Sequence, residues 1–257
     1  MSSLGGKELK KASDLGEWGI FLMIYGPPGV GKTPLAAQAA DSEYGAPVLF
    51  IAVEPGMRSI SHRTDIDIRE IDDYDDFKAV TNDLFKMTTV PWKTVVIDNG
   101  SELAKVHLKK VTGGSYPQLQ HYGQNTAEML SVVRNSRDFA ARTHTNVIFI
   151  AWDTADKDES TGVIKNHVGF THKLSEGIPG TLDLIGYLEI IKGVRKLTFN
   201  ANDKNDAKFR RPPTVEALQI PGELFFKELS NMPMVDLLAT LKGNKPFPAE
   251  KYKRPTS

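Results

Sequence analysis

Residues Gly26–Thr33 spell GPPGVGKT and come directly after the apolar run Gly19–Tyr25. They match the pattern G-x-x-x-x-G-K-[ST] in the setting that it requires, a strand before the loop and a helix after it. Glycines let such a loop curl until successive backbone N–H groups point into one hollow of the size of a phosphate. The helix-forming residues after Pro34 fit, because proline is tolerated in the first turn of a helix. The segment therefore predicts a strand, a phosphate-binding loop and a helix in that order.

The end of the loop predicts what it binds. Lys32 is placed to reach the β- and γ-phosphates of a nucleoside triphosphate, and the Thr33 hydroxyl would complete the shell of a Mg²⁺ ion. The alternative is a Gly- and Pro-rich turn that matches by chance, and the flanking strand and helix patterns speak against it. The predicted nucleotide-binding residues are Gly26, Pro27, Pro28, Gly29, Val30, Gly31, Lys32, Thr33 and Pro34.

The composition excludes several classes of function. The 257 residues include 32 Lys and Arg, 32 Asp and Glu, and no cysteine. The chain therefore has no global positive field, and it has no disulfides, thiolate zinc sites or cysteine nucleophiles. No apolar run approaches the ~20 residues that span a bilayer, and residues 1–18 do not resemble a signal peptide. A cytoplasmic protein without a membrane partner is expected.

Apolar runs alternate with helical patterns, which predicts a doubly wound α/β fold with a mostly parallel central sheet flanked by helices. A tight turn at Lys192–Arg195 predicts an antiparallel hairpin at one edge of the sheet. The predicted parts are an N-terminal extension (1–18), a core (19–241) and a basic flexible tail (242–257). Strands are predicted at Gly19–Tyr25, Pro47–Val53, Thr94–Ile97, Asn146–Ala151, Leu184–Ile191 and Lys196–Ala201, and helices at Pro34–Ala40, Asp75–Met87, Ser101–Val111, Tyr122–Arg142 and Met234–Leu241.

Two acidic residues are predicted to complete the site. Asp98 follows the apolar strand Thr94–Ile97, where a carboxylate holds a Mg²⁺-bound water beside the phosphate loop. AAA-type ATPases usually have a Glu directly after this Asp, but Asn99 follows here. Glu54 ends the preceding strand, and the carboxyl ends of parallel strands open into one crevice, so Glu54 is the candidate general base or water-orienting group. The alternative is an exposed Glu that opens the turn Pro55–Gly56.

With these residues the chain resembles the RecA-like ATPase superfamily over residues 19–211. The shared features are GPPGVGKT, a strand that ends in Val-Glu-Pro-Gly, and a later strand that ends in Ile-Asp. The chain looks most similar to core-only RecA-like proteins of phages, the Sak-type ATPases of single-strand annealing and recombination. The resemblance implies that residues 19–241 form a RecA-like core that uses ATP and Mg²⁺, in the host cytoplasm if a phage encodes it.

Further residues fit the same resemblance. Lys208 and Arg210 resemble the Lys-x-Arg element of hexameric RecA-like ATPases, whose two cations reach the γ-phosphate of the neighbouring subunit. This implies a homo-oligomer, either a ring or a filament; a solvated basic turn that includes Arg211 is the alternative. Thr154 falls where RecA has a polar γ-phosphate sensor. The adjacent Asp153 departs from that pattern, because the γ-phosphate would repel a further carboxylate unless that carboxylate also bound Mg²⁺.

Two aperiodic stretches, 112–121 and 152–182, fall where RecA carries its DNA-binding loops. Cations interleaved with aromatic residues can neutralise phosphates and stack bases without reading sequence, which implies single-stranded DNA as a partner. Asp156, Asp158 and Glu159 weaken the positive field of the second stretch, so a solvated loop of mixed charge is the alternative. The histidines lack metal-ligand spacing, and no zinc site is predicted. The residues that mark the loops are Lys109, Lys110, Tyr116, His121 and Tyr122, and Lys157, Lys165, His167, Phe170, His172 and Lys173.

Three hypotheses follow for the function. The first is a Mg²⁺-dependent, RecA-like ATPase that acts on single-stranded DNA in phage-type recombination or annealing, with DNA-stimulated hydrolysis. The second is a nucleotide-gated oligomeric module that recruits replication proteins, with incidental hydrolysis. A single-stranded-DNA-binding protein is a further candidate partner under either hypothesis. The third, a small-molecule kinase, needs an Arg-rich lid, and no such cluster lies between residues 152 and 182.

Overall fold

The computed structural model describes residues 3–4, 6–8, 18–157, 162, 164–169, 180–202, 204–209, 220–243 and 245–255. Short 3₁₀ turns cover Gln38–Asp41, Met57–Ile60, Leu229–Asn231 and Ala249–Tyr252. The helices are α1 (Lys32–Ala37), α2 (Tyr74–Lys86), α3 (Gly100–Thr112), α4 (Leu119–Thr143) and α5 (Pro233–Gly243). The strands are β1 (Ser3–Leu4), β2 (Lys7–Glu8), β3 (Phe21–Tyr25), β4 (Val48–Ala52), β5 (Ile66–Glu70), β6 (Thr94–Asp98), β7 (Asn146–Ala151), β8 (Asp153–Lys157), β9 (Ile164–Val168), β10 (Leu184–Ile191), β11 (Val194–Thr198), β12 (Lys208–Phe209) and β13 (Glu223–Phe226).

A nine-stranded sheet forms the centre of the protein, in the order β13-β11-β10-β3-β7-β6-β4-β5, with β12 paired to β10. The six strands from β10 to β5 are parallel, whereas β11 and β12 run antiparallel to β10. The predicted mostly parallel α/β fold is confirmed. The predicted edge hairpin is confirmed as well: a two-residue turn at Lys192 and Gly193 joins β10 to β11, with φ of 50° and 80°, which matches the twist of the strands.

Helices cover both faces of the sheet. Successive strand residues point to opposite faces, so each parallel strand contributes to two hydrophobic cores. In β3, Leu22 and Ile24 belong to the core that α1 and α5 cover, and Phe21 and Met23 belong to the core under α2, α3 and α4. This double coverage explains why the parallel strands read as continuous apolar runs.

Several strands are not predicted from the sequence. The edge strand β5 (IDIRE) leaves most of its side chains exposed. Strands β8 and β9 form a separate antiparallel ribbon within the stretch 152–182, where the sequence shows no periodic pattern. Strand β13 is short and pairs only with β11. All of these pairings depend on a neighbouring strand rather than on a local pattern.

The segment after residue 241 differs from the flexible tail that its composition predicts. Phe247 and Tyr252 are buried in the core beside α5, with ring centroids 5.4 Å apart. The Tyr252 hydroxyl donates to the carbonyl oxygen of Asn231 at 2.7 Å. Lys245, Lys251 and Lys253 face solvent, while Phe247 and Tyr252 between them pack against the core. Across the described parts of the chain, no helix is long and apolar enough to cross a membrane.

Candidate nucleotide-binding site

A cleft of about 390 Å³ opens where the parallel strands end. The loop after β3 forms one wall, and Glu54, Asp98 and Trp152 follow or end β4, β6 and β7 at the same edge. This meeting of three strand ends with the loop is what a parallel sheet predicts. Outside the loop, the walls also include Met57, Ser59, Arg195 and Leu229.

The glycines at the two ends of the loop are required by its shape. Gly26 has φ of 153°, and a Cβ built on it would lie 2.0 Å from the carbonyl oxygen of Leu188 in β10. Gly31 has φ of 99° in the left-handed region and precedes the first residue of α1. A side chain at either position would therefore distort the loop. The backbone of the loop is thus curled, as the motif predicts.

Lys32 lies inside the loop rather than in solvent. Its side chain donates to the carbonyl oxygens of Gly26 at 2.7 Å and Pro27 at 2.8 Å, and the residue is 7% exposed. Burial lowers the pKa of Lys32, and the charges of Asp153, Asp98 and Glu54 oppose that shift. The ammonium group is thus held among carbonyl oxygens and carboxylates at the place where phosphates are predicted.

Thr33 and Asp98 meet across the cleft. The Thr33 hydroxyl donates to Asp98 Oδ2 at 2.5 Å, although the two residues are 65 positions apart. A hydroxyl and a carboxylate are hard oxygen ligands of the kind that Mg²⁺ takes. No group of three or more His, Cys, Asp or Glu that could hold a metal occurs in the described ranges. The two oxygen donors of Thr33 and Asp98 suit a Mg²⁺ ion that takes its other ligands from phosphate oxygens and water.

Burial raises the pKa of Asp98 to about 6, and the charge of Glu54 acts in the same direction. The hydrogen bond from Thr33 and the charge of Lys32 lower it. Because the ordinary value is 3.8, the folded protein binds this proton more tightly than the unfolded chain does. The ionised carboxylate therefore destabilises the fold above about pH 6, and the effect disappears as the pH falls below 4.

We expect Asp98→Asn to raise the free energy of unfolding of the nucleotide-free protein by on the order of 2 kcal/mol at pH 7.5. The neutral amide removes the destabilising charge and can still accept from Thr33. Urea unfolding at pH 7.5 and pH 4 measures the effect, which should nearly vanish at the lower pH. The same stabilisation at both pH values would contradict this explanation.

Glu54 is held beside Asp98 by Asn99. The Asn99 side chain donates to Glu54 Oε2 at 2.5 Å, and its Oδ1 accepts from the backbone N–H of Glu102 at 2.7 Å, which caps α3. The bond to Glu102 fixes the Asn99 amide, and this amide fixes the carboxylate of Glu54, which follows the neighbouring strand β4. Asn99 stands where AAA-type ATPases have a Glu, and its side chain binds Glu54 from the neighbouring strand. Glu54 thus supplies the carboxylate that residue 99 lacks.

The segment after β7 only partly matches its predicted role. Trp152 lines the cleft, but Thr154 is exposed on β8 and is not part of the cleft wall. Asp153 accepts a hydrogen bond from the Tyr187 hydroxyl at 3.3 Å, and its charge gives the largest opposition to the lowered pKa of Lys32. Among the carboxylates that act on Lys32, Asp153 therefore has the largest effect. Thr154, the predicted sensor, lies outside the cleft wall.

Of the two predicted trans-acting cations, Lys208 is described, and it is not among the residues that line the cleft. Lys208 begins β12 and pairs with Ile185 of β10, and Arg210 lies outside the described residues. The segment before Lys208 is tied to the phosphate-loop strand, because the hydroxyl of Tyr25 donates to the carbonyl oxygen of Asp206 at 2.6 Å. Tyr25 is the residue directly before Gly26, so this bond links the loop to the strand that carries Lys208.

The first predicted DNA loop covers the turn between α3 and α4 and the first turn of α4, and this segment is largely exposed. Tyr116 is 90% exposed, Leu119 88% and Tyr122 43%. His107 of α3 bonds to Asn125 near the start of α4 at 2.8 Å, and the start of α2 is close by, since Tyr74 bonds to Glu128. Because α2 begins near the carboxyl end of β5, the exposed segment lies at the same edge of the sheet as the cleft.

The predicted basic residues of both loops are partly neutralised. Lys110 pairs with Asp75, and Lys165 and His167 both contact Asp206, at 2.9 Å and 2.7 Å. Lys109 and Lys157 are exposed. His121 accepts from the backbone of Gln118 and caps α4. Phe170, His172 and Lys173 lie outside the described residues.

Sequence reasoning missed several residues of the cleft wall, among them Met57, Ser59, Arg195 and Leu229. Each lies in a short turn or in the edge hairpin, and none belongs to a motif. The hairpin itself is recognisable in the sequence, but its position beside the loop depends on the pairing of β10 with β3. Only that pairing indicates that a basic residue of β11 reaches the loop.

Comparison with known proteins identifies a matching family and a similar solved structure. Residues 19–211 match a family described as an AAA domain. A crystal structure of the RadB recombinase has a TM-score of 0.47 and 16% identity, and the match covers 81% of this chain and 87% of that chain. A comparison with curated proteins finds no match.

Proposed function

Because the chain belongs to the AAA domain family over residues 19–211, we propose that it is a Mg²⁺-dependent, RecA-like ATPase that acts on single-stranded DNA in phage-type recombination or annealing. The supporting observation is the convergence of three paired groups at one cleft. Lys32 is bonded inside the loop, Thr33 is bonded to Asp98, and Glu54 is bonded to Asn99. These are the groups that phosphoryl transfer to water requires.

Catalysis by this site rests on positioning and electrostatics. Lys32 balances charge on the β- and γ-phosphates, and Glu54 orients the attacking water and accepts its proton. Thr33 and Asp98 would hold Mg²⁺, which when bound neutralises charge on the phosphate oxygens. Burial lowers the pKa of Lys32, and the charges of Asp153, Asp98 and Glu54 oppose that shift, so these carboxylates favour the charged form that the phosphates need.

The DNA part of the proposal rests on the turn between α3 and α4 together with the first turn of α4. Two exposed tyrosines, Tyr116 and Tyr122, offer rings for base stacking, and Lys109 offers a cation nearby in sequence. Helix α3 begins at the cleft, where Asn99 caps it, and ends at this segment. Its Lys105 also lies over the Trp152 ring, 3.9 Å from the centroid. A DNA strand on the segment can therefore influence the site through α3.

An oligomer completes the proposal. Lys208 and Arg210 are proposed to reach the γ-phosphate of a neighbouring subunit in a ring or filament, so that hydrolysis depends on assembly. Lys208 lies at an edge strand of the sheet and is not part of its own cleft wall. This position suits a residue that acts on the next subunit.

We expect single-stranded DNA to stimulate ATP hydrolysis several-fold, and we expect binding to weaken as salt rises. The ATPase rate with and without poly-dT, together with a salt titration of poly-dT binding, measures both effects. A Tyr116→Ala/Tyr122→Ala variant should lose the stimulation but keep the basal rate. Ile68→Ala, a similarly exposed apolar residue on β5, is the matched control.

Two outcomes would contradict parts of this proposal. Absence of both stimulation and salt-sensitive DNA binding would remove the DNA role and favour the nucleotide-gated interaction module, for which the exposed Tyr116 and Leu119 are also suited. Hydrolysis that persists unchanged in Lys32→Ala would remove the assignment of the catalytic cleft.

A further inference from the structure

Arg195 is a basic residue of the cleft that the proposed mechanism does not use. It lies on β11, one residue after the first of that strand, and its side chain crosses to the phosphate loop. Its Nε donates to the carbonyl oxygen of Val30 at 2.9 Å, and its Nη1 donates to the carbonyl oxygen of Lys227 at 3.0 Å. The guanidinium group thus bridges the loop to the end of β13.

The same group packs against the loop where it turns into α1. A Cβ built on Gly31 would lie 3.3 Å from Nε and 3.7 Å from Nη2 of Arg195. Glycine at this position therefore allows the loop backbone and the guanidinium plane to approach each other closely. The guanidinium group also lines the cleft on this side.

The described residues do not use all the donors of Arg195 and do not neutralise its charge. A guanidinium group has five N–H donors in a fixed fork, and the two bonds above use two of them. Among the residues that the structure describes, no carboxylate forms an ion pair with Arg195. A half-buried cation without a counter-ion, placed against a phosphate-binding loop, is suited to an anionic ligand.

The loop also lacks one backbone donor. The third residue of α1 is Pro34, which lines the same cleft and has no N–H. A backbone donor that the first turn of a helix otherwise leaves free is therefore missing from the wall. Arg195 supplies N–H donors to that wall from outside the loop.

We propose that Arg195 is a nucleotide-contacting residue within the same chain. Its free N–H groups bind the diphosphate moiety of the nucleotide, while its bond to Val30 holds the loop in shape. The loop backbone cradles the α- and β-phosphates, and Arg195 contacts that part of the loop, so its ligand is present in ADP as well as in ATP. This inference rests on the proposed nucleotide-binding function, and it gives Arg195 a role distinct from that of cations supplied by a neighbour.

The test is ADP binding by the full chain, measured by calorimetry for the wild type, Arg195→Met, Arg195→Lys and Lys192→Asn. Met keeps the aliphatic stem but removes the charge and the donors, so the affinity should fall by about 10- to 100-fold. Lys keeps the charge but loses the fork, so its affinity should lie between those of wild type and Arg195→Met. Lys192→Asn removes an exposed charge from the same hairpin, and Asn tolerates the positive φ at this position. This variant should bind ADP as tightly as the wild type does.

Thermal unfolding without nucleotide separates this role from a structural one. A lower melting temperature for Arg195→Met with wild-type ADP affinity would overturn the proposal, because Arg195 would then only brace the hairpin. If Arg195→Met does not fold, Arg195→Lys decides, and an affinity within about twofold of wild type overturns the proposal. Absence of ADP and ATP binding by the wild type would instead overturn the proposed function, and this inference with it.

Discussion

Replacing Glu54 with Gln is expected to lower the turnover number for ATP hydrolysis by about 10²- to 10⁴-fold. The substitution removes the proton acceptor but keeps an oxygen that Asn99 can bond, so the geometry held by the 2.5 Å hydrogen bond is preserved. ATP affinity should stay within about threefold of wild type, because Lys32 and Thr33 are unchanged. Steady-state hydrolysis and equilibrium ATP binding measure the two quantities separately.

Glu70→Gln is a matched control for this result. Glu70 ends β5, the strand next to β4, and its side chain is exposed. Removing its charge should leave the turnover number within about twofold of wild type, because surface charges away from a site contribute little. Normal turnover in Glu54→Gln would show that another group activates the water, and the role given to Glu54 would be wrong.

The same variant tests whether the site is shared between subunits. Glu54→Gln loses its own general base but keeps Lys208, whereas Lys208→Ala keeps its cleft but loses the proposed trans cation. If each subunit completes the site of its neighbour, a mixture of the two inactive variants contains interfaces with both groups and should recover part of the activity. A mixture no more active than the two variants measured alone would contradict action in trans.

The parts of the site that the sequence predicts are those in which chemistry and local structure coincide. The phosphate loop needs glycines at fixed spacing, so its shape is visible in the letters GPPGVGKT. Glu54 and Asp98 are predictable because each ends a buried strand, and parallel strands bring their ends together. The buried strands themselves appear as apolar runs because helices cover both faces of the sheet.

The parts that the sequence does not predict depend on pairing between distant segments. Arg195 reaches Val30 across 165 positions, and only the position of β10 beside β3 brings the two together. The role of Asn99 is likewise invisible, since its bond to Glu54 spans two strands. Thr154 illustrates the opposite error: its position in the sequence suits a phosphate sensor, but the ribbon of β8 and β9 leaves it exposed.

The C-terminal segment is the largest difference between prediction and structure, and it bears on the site. The Tyr252 hydroxyl bonds to the carbonyl oxygen of Asn231, in the 3₁₀ turn that precedes α5. Gln38, directly after α1, donates to the carbonyl oxygen of Leu229 at 2.7 Å in that same turn and accepts from the backbone of Met234 at 3.1 Å. The segment therefore supports α5, and α5 supports the helix that follows the phosphate loop.

Tyr252→Ala is expected to lower the free energy of unfolding by about 3–5 kcal/mol, because it removes a ring that is 1% exposed and leaves a cavity beside Phe247. Lys253→Ala, a neighbouring exposed residue, should change it by less than about 0.5 kcal/mol. Urea unfolding of both variants measures the difference, and a chain ending at residue 244 should be at least as destabilised as Tyr252→Ala. Because α5 packs behind α1, the truncated chain should also bind ATP more weakly. If the truncated and full chains are equally stable, residues 245–255 do not pack as the structure places them, and the segment is the flexible basic tail that its composition predicts.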